Sequence, residues 1–266
     1  MYKRQDIHRD VIVACLAKGE LGTDPEIEIR SFSTLIPEMR KLRDWVLEAE
    51  CRYVAMESTG IYWQPIYEML EPCFDGQISI LVVNARHMKN VPGRKTDMRD
   101  AQWIATLLRA GLLKGSFIPD KTFRELRHLT RYRKSIVRDI TAQKNRIDKF
   151  LQSSGFRFTA FLSDAFGASG RNIIRHLMEY GNISREALDR CLKTQTRKRI
   201  DEILIALNGS LSEHQRGFLR MIFGHLEALE QHRHTVEDAI TKEITKHEEA
   251  LSLLCSIPVS YTHLTL

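Results

Sequence analysis

The sequence predicts an α/β domain with a central mixed sheet over residues 1–118, then an all-helical region over residues 119–258 that ends in a long, coiled-coil-like helix. Three observations predict it. Up to Ala101, β-rich runs alternate with amphipathic stretches, the pattern of an α/β layer. Beyond Ala101 apolar residues recur at spacings of three and four almost to the end. Turn chemistry separates the first segments, at Gly19, Gly22, Asp24 and Pro25.

In order, Asp6 to Leu16 carries the β-rich run DVIVACL, and Ile27 to Phe32 alternates like a half-buried strand. Ser33 to Ala49 reads as an amphipathic helix carrying Leu35, Met39, Leu42, Trp45 and Val46. Arg52 to Met56 is a short strand, Tyr62 to Leu70 a helix, and Ile78 to Val83 another strand. A helix opens at Asp97. Glu125 to Leu151 places Leu126, Leu129, Ile136, Ile140, Ile147 and Leu151 on one stripe, with a basic face opposite. Gly155 to Gly170 reads as a loop of small residues. Helices follow over Asn172 to Tyr180 and Arg185 to Ala206, the latter interrupted by Arg197, Lys198 and Arg199. The last helix, Ser212 to Leu253, has a seam of Phe218, Ile222, Leu226, Leu229, Val236, Ile240 and Ile244, broken only at Arg233. Such a seam pairs with a second chain or with Arg124 to Leu151 folded back as a hairpin, and periodicity allows both.

With 266 residues, 43% hydrophobic and 28% charged, the composition is that of a globular protein able to bury a sizeable core. No apolar run approaches the ~20 residues that span a bilayer, and no hydrophobic secretory segment opens the chain, so no membrane partner and a cytoplasmic location are expected. Cys15, Cys51, Cys73, Cys191 and Cys255 form no CxxC pair, which argues against a zinc site or a disulfide framework. His225, His232 and His234 read as a solvated helix face. The net charge of +6 is concentrated: between Arg124 and Lys149 nine basic residues face three acidic ones, an excess equal to that of the whole chain. Arg124, Arg127, Arg131, Arg133, Lys134, Arg138, Lys144 and Arg146 carry most of this excess.

The chemistry centres on KTDMRDAQW, residues 95–103. Asp97 and Asp100 stand three apart at a helix start, so they share one face, as two carboxylates of a divalent-ion site must. Acids in a first turn also offset the helix dipole, and Thr96 is a good N-cap, so capping is the competing reading. The rest of the chain shifts the balance. Asp6 precedes a strand-rich run and Glu57 follows the strand ending at Met56, where a metal-dependent nuclease of the RNase H kind places its acids. Four carboxylates there suit two magnesium ions ~4 Å apart, acting on the attacking and leaving oxygens of a phosphodiester, with manganese as a substitute. Arg86, His87, Lys89, Arg94 and Lys95 form a cationic rim around Pro92 and Gly93 that fits a polyanionic substrate.

Six segments resemble one known family: DIHRDVIVACL from Asp6, MESTGIYWQPIYEML from Met56, the stretch from Val82 to Pro119 containing GRKTDMRDAQW, RELRHLTRYRKSIV from Arg124, QKNRIDKFL from Gln143 and SDAFGASGRNIIRHL from Ser163. The family is that of the insertion-sequence transposases with a DEDD, RuvC-like domain, the bridge-RNA-guided recombinases. The similarity runs over about residues 6–258. It implies that Asp6, Glu57, Asp97 and Asp100 are a metal-binding catalytic tetrad for DNA strand cleavage and exchange. It also implies that the basic residues from Arg124 to Arg146, with Arg94 and Lys95, contact nucleic acid, including a structured guide RNA, and that long helices mediate assembly into dimers or tetramers.

Family members carry a further C-terminal domain with a catalytic serine. Here the chain stops soon after Ser256 to Pro258, and residues 259–266, like the opening MYKRQ, read as a non-native addition. The expected function is that of a truncated transposase. The alternative is a catalytically incomplete nucleic-acid-binding and oligomerisation fragment, and further off lies a nuclease resembling Holliday-junction resolvases.

Overall fold

The computed structural model describes residues 2–7, 10–20, 22–58, 60–73, 79–84 and 97–256, with the backbone alone at 2–7 and 97–100. The chain forms two compact units, Met1–Pro119 and Asp120–Leu266.

The first unit is built on five described strands: β1 (Tyr2–Ile7), β2 (Val11–Lys18), β3 (Glu26–Ser33), β4 (Tyr53–Glu57) and β5 (Ser79–Val83), in the order β3-β2-β1-β4-β5. β1, β2 and β3 pair antiparallel, whereas β1 with β4 and β4 with β5 run parallel. The stretch expected as one run from Asp6 to Leu16 is two strands, with Asp10 in a bend between them and Ile7 paired to Ile12. Polar Lys3, Arg4 and Gln5 thus occupy the middle strand of the sheet. The backbone amides and carbonyls that make such pairings are the same in every residue, so a polar sequence does not preclude the position.

β2 is buried from Ile12 through Ala17, because both faces of the sheet are covered. On one face Ile12, Ala14, Leu16, Val54 and Met56 pack against α1 (Ile36–Glu48) and α2 (Trp63–Leu70), through Met39, Leu42, Trp45, Val46, Ile66 and Leu70. α1 begins later than the periodicity indicates. Ser33 still belongs to β3, Pro37 sits in the first turn, and Leu35 is exposed rather than part of the apolar stripe. On the other face lies α3 (Asp97–Arg109), whose Ala101 and Ala105 meet Val13, Cys15 and Ala17, while Ile104, Leu107 and Leu108 meet Ala55.

The second unit is helical. α4 (Lys121–Ser153), capped by the Asp120 side chain, packs along α9 (Glu213–Ile244), which a capping box of Ser212 and Gln215 opens. Between them lie α5 (Ala168–Tyr180), α6 (Arg185–Cys191), α7 (Thr194–Arg197) and α8 (Ile200–Ala206). The segment expected as a loop from Gly155 to Gly170 is more ordered. Phe156 and Phe158 are fully buried, Phe158–Phe161 forms a 3₁₀ turn, and α5 begins at Ala168. The helix expected from Arg185 to Ala206 breaks at 197–199 as the basic cluster indicates, and also at the buried Leu192. Arg185 bonds Asp201 across these breaks and holds that carboxyl below its ordinary value.

The seam of α9 is met within the chain. Ile222, Leu226, Val236 and Ile240 join Ile136, Ile140, Ile147 and Leu151 of α4 in one core. Gln143 Nε2 donates to the Ile222 carbonyl at 2.6 Å, and Arg133 pairs with Glu237 at 2.8 Å. Thus the hairpin is the arrangement that satisfies both stripes. The last helix also ends earlier than expected, since a 3₁₀ turn over Thr245–His247 separates it from α10 (Glu248–Cys255). Thr241 and Thr245 each donate a hydroxyl to the carbonyl four residues back, a bond that bends helices. All five cysteines are free thiols.

Candidate functional site

Strand register brings two of the predicted acids together. The last pair between β1 and β4 is Gln5 with Met56, so the next positions, Asp6 and Glu57, are neighbours on adjacent strands, ~4.8 Å apart at the backbone. Both lie at the carboxyl edge of parallel strands. Asp6 pairs on its other side with Val13, and Glu57 stands two residues after Ala55; Val13 and Ala55 both pack under α3. Side chains alternate along a strand, so positions 6 and 57 belong to the face that α3 covers.

α3 is oriented by its two ends. At its C-terminus Arg109 donates to the Glu20 carbonyl, beyond the end of β2, and Ala105 sits near Ala17, whereas Ala101 is a turn earlier. Because β2 runs antiparallel to β1, the N-terminus of α3 lies at the opposite edge, where β1 and β4 end. Asp97 and Asp100 occupy that first turn, four residues before the buried Ala101 and Ile104.

The positions of all four acids therefore meet at one edge of one unit. Glu57 is the member whose side chain is described, and it is half-buried. Among the described residues no group of three or more His, Cys, Asp or Glu stands close enough to hold a metal; the side chains of Asp6, Asp97 and Asp100 lie outside that set. The cationic rim of Arg86, His87, Lys89, Arg94 and Lys95, and the N-cap Thr96, also fall outside the described residues.

The basic residues of α4 divide into two sets. Arg127, Arg131, Lys134 and Arg138 are exposed and follow spacings of four, three and four, which aligns them along the side of the helix opposite its buried face. They have no acidic partner among the described residues. Arg146 is exposed too, but donates to Gln143. By contrast, Arg124 is buried, Arg133 is paired with Glu237, and Lys144 approaches Glu230 at 4.0 Å and lies over the Phe166 ring. Sequence alone treats these eight candidates alike; burial separates a solvent-facing stripe from cations spent inside the unit. The histidines of α9 are not simply solvated either, since His232 shares a 2.8 Å hydrogen bond with Tyr132.

The segment MESTGIYWQPIYEML, which carries part of the family resemblance, turns after Glu57. Ser58 donates its amide to the Val83 carbonyl, Gly60 adopts φ +56°, and Ile61 and Tyr62 are exposed before α2 begins.

A family model described as a transposase, the DEDD domain of the IS110 type, matches residues 5–155, a span containing all four acids and the whole of α4. Among curated proteins, none matches the chain.

Proposed function

Since the chain belongs to the DEDD transposases of the IS110 type, we propose that its first unit is an RNase H or RuvC-like domain that cuts and exchanges DNA strands with divalent metal, guided by a structured RNA. The observation that carries this reading is the single sheet edge at which β1 and β4 end and α3 begins. The strand order β3-β2-β1-β4-β5, three antiparallel strands followed by two parallel ones, supports the fold assignment.

The donor set fits hard cations. Carboxylates are the oxygen ligands that magnesium and manganese prefer, and two of them stand on adjacent strands with two more in one helical turn. Asp6, Glu57, Asp97 and Asp100 would hold the metal, which supplies positive charge to the oxygens of a phosphodiester under attack. The chain's own part is to fix four anionic groups on rigid elements, two strand ends and a helix packed on the same sheet, so that little reorganisation accompanies the reaction.

In the second unit, the stripe of Arg127, Arg131, Lys134 and Arg138 serves as a backbone contact for DNA or guide RNA, because phosphate neutralisation needs exposed and unpaired cations. Exposed Met221 on α9, beside Phe218 whose ring packs on Phe150, leaves apolar surface for assembly into dimers or tetramers. No helix among the described residues is long and apolar enough to cross a membrane.

Magnesium titration calorimetry on the full chain and on the Asp97→Asn, Asp100→Asn double variant tests the metal site. Binding heat is expected for the first and its loss for the second, with loss of magnesium-dependent strand cleavage. Indistinguishable heats reject the tetrad.

A further inference from the structure

We propose that Ile61 and Tyr62 form the surface on which an unstacked nucleobase of the DNA strand rests beside the acidic edge; this deepens the transposase reading and depends on it. Four observations carry the assignment. Ile61 is 69% exposed and Tyr62 38%, so a large apolar and an aromatic side chain stand consecutively in solvent. They lie four and five residues after Glu57, on the connection that leaves β4 at the edge where β1 also ends. The connection is tied to the sheet at its start by the Ser58 amide on the Val83 carbonyl, and at its end the Gln64 amide donates to the Ile61 carbonyl at 3.2 Å as α2 begins. Tyr62 makes no described ring contact or side-chain hydrogen bond, whereas the following Trp63 packs edge-on against Tyr67.

Single exposed apolar residues are ordinary on a protein surface. This pair differs in position. Gly60, at φ +56°, sets the turn in a backbone conformation that L side chains rarely adopt. A strand presented to a nuclease-type edge has its phosphates turned toward metal and its bases toward neighbouring surface. Aromatic faces and apolar wedges are what bases stack on, regardless of sequence. A cationic group would suit the phosphates instead, and neither residue is charged.

The test uses the full chain and a fluorescent single-stranded DNA of mixed sequence with 2-aminopurine at one position. Binding is followed by anisotropy and stacking by 2-aminopurine emission, in magnesium. Tyr62→Ala is expected to weaken binding about 5- to 150-fold, the range for loss of one stacked base, and to abolish quenching. Tyr62→Phe should retain both, because the ring and not the hydroxyl makes the contact, and Ile61→Ser should weaken binding without changing the melting temperature. If Tyr62→Ala and Ile61→Ser bind and quench like the parent, this inference is overturned while the DNA-binding reading stands. Failure of the parent protein to bind DNA at all overturns both. Should Tyr62→Ala misfold, Ile61→Ser decides by itself.

Discussion

At the scale of single residues, two glycines show how closely the second unit is built. A methyl group on Gly170 would lie 1.9 Å from the Ala165 carbonyl oxygen, well inside any real contact, so the turn before α5 can close only over a residue with no side chain. Gly181 caps α5 at φ +80°, and a Cβ there would approach the Leu211 carbonyl oxygen at 2.8 Å. Gly170→Ala must shift backbone rather than a flexible side chain, and it is expected to destabilise the protein by about 1–3 kcal/mol, as overpacking commonly does. Urea unfolding followed by far-UV circular dichroism measures the loss, and an unchanged midpoint would count against the tight approach. Arg171, the next residue, explains why this turn is held so firmly. Its guanidinium bonds the Phe166 carbonyl and both oxygens of Glu230, drawing α5 onto α9.

At the scale of elements, α4 divides its labour by face. Ile136, Ile140, Ile147 and Leu151 bury toward α9 while Arg127, Arg131, Lys134 and Arg138 look to solvent. Helical rise puts ~16 Å between Arg127 and Arg138, enough to follow several phosphates. If each cation neutralises one phosphate, changing Arg131 to Gln should weaken binding to all sequences alike and reduce the slope of log affinity against log salt by about 0.9. Arg133→Gln should behave differently. Its guanidinium is committed to Glu237, so the expected effect is on stability, with the salt slope unchanged. Fluorescence anisotropy across a salt series, alongside thermal melts, separates the two variants; equal slopes for Arg131→Gln and the parent would remove α4 from the nucleic-acid surface.

At the scale of the whole molecule, the chain is two compact units that meet in sequence at Pro119 and Asp120. Just before that boundary Gly115 bridges Val83 and the Ser116 amide donates to Val82, so the edge of the sheet is tied down as far as Ser116. Phe117 then stands 89% exposed. Brief chymotrypsin digestion should therefore cut first after Phe117, giving fragments that mass spectrometry places on either side of it. Early cleavage within α4 or α9 instead would contradict the compactness of the second unit.

Much of this was legible in the chain itself. The α/β character of the first hundred or so residues, the amphipathic stripes of α4 and α9, and the choice of Asp6, Glu57, Asp97 and Asp100 follow from local periodicity, helix spacing and family resemblance, all of which reside in short stretches of sequence. What only the tertiary structure decided is which distant stretches become neighbours. Register set Asp6 beside Glu57, and the direction of α3 put Asp97 and Asp100 at their edge, because parallel pairing joins residues some fifty positions apart that share no local pattern. Packing likewise closed the buried seam of α4 and α9 as a hairpin within the chain, and it buried Arg124 while leaving Arg127 exposed. A cation reads the same in sequence on either side of a helix; only the surface it faces determines whether its charge is available to a phosphate.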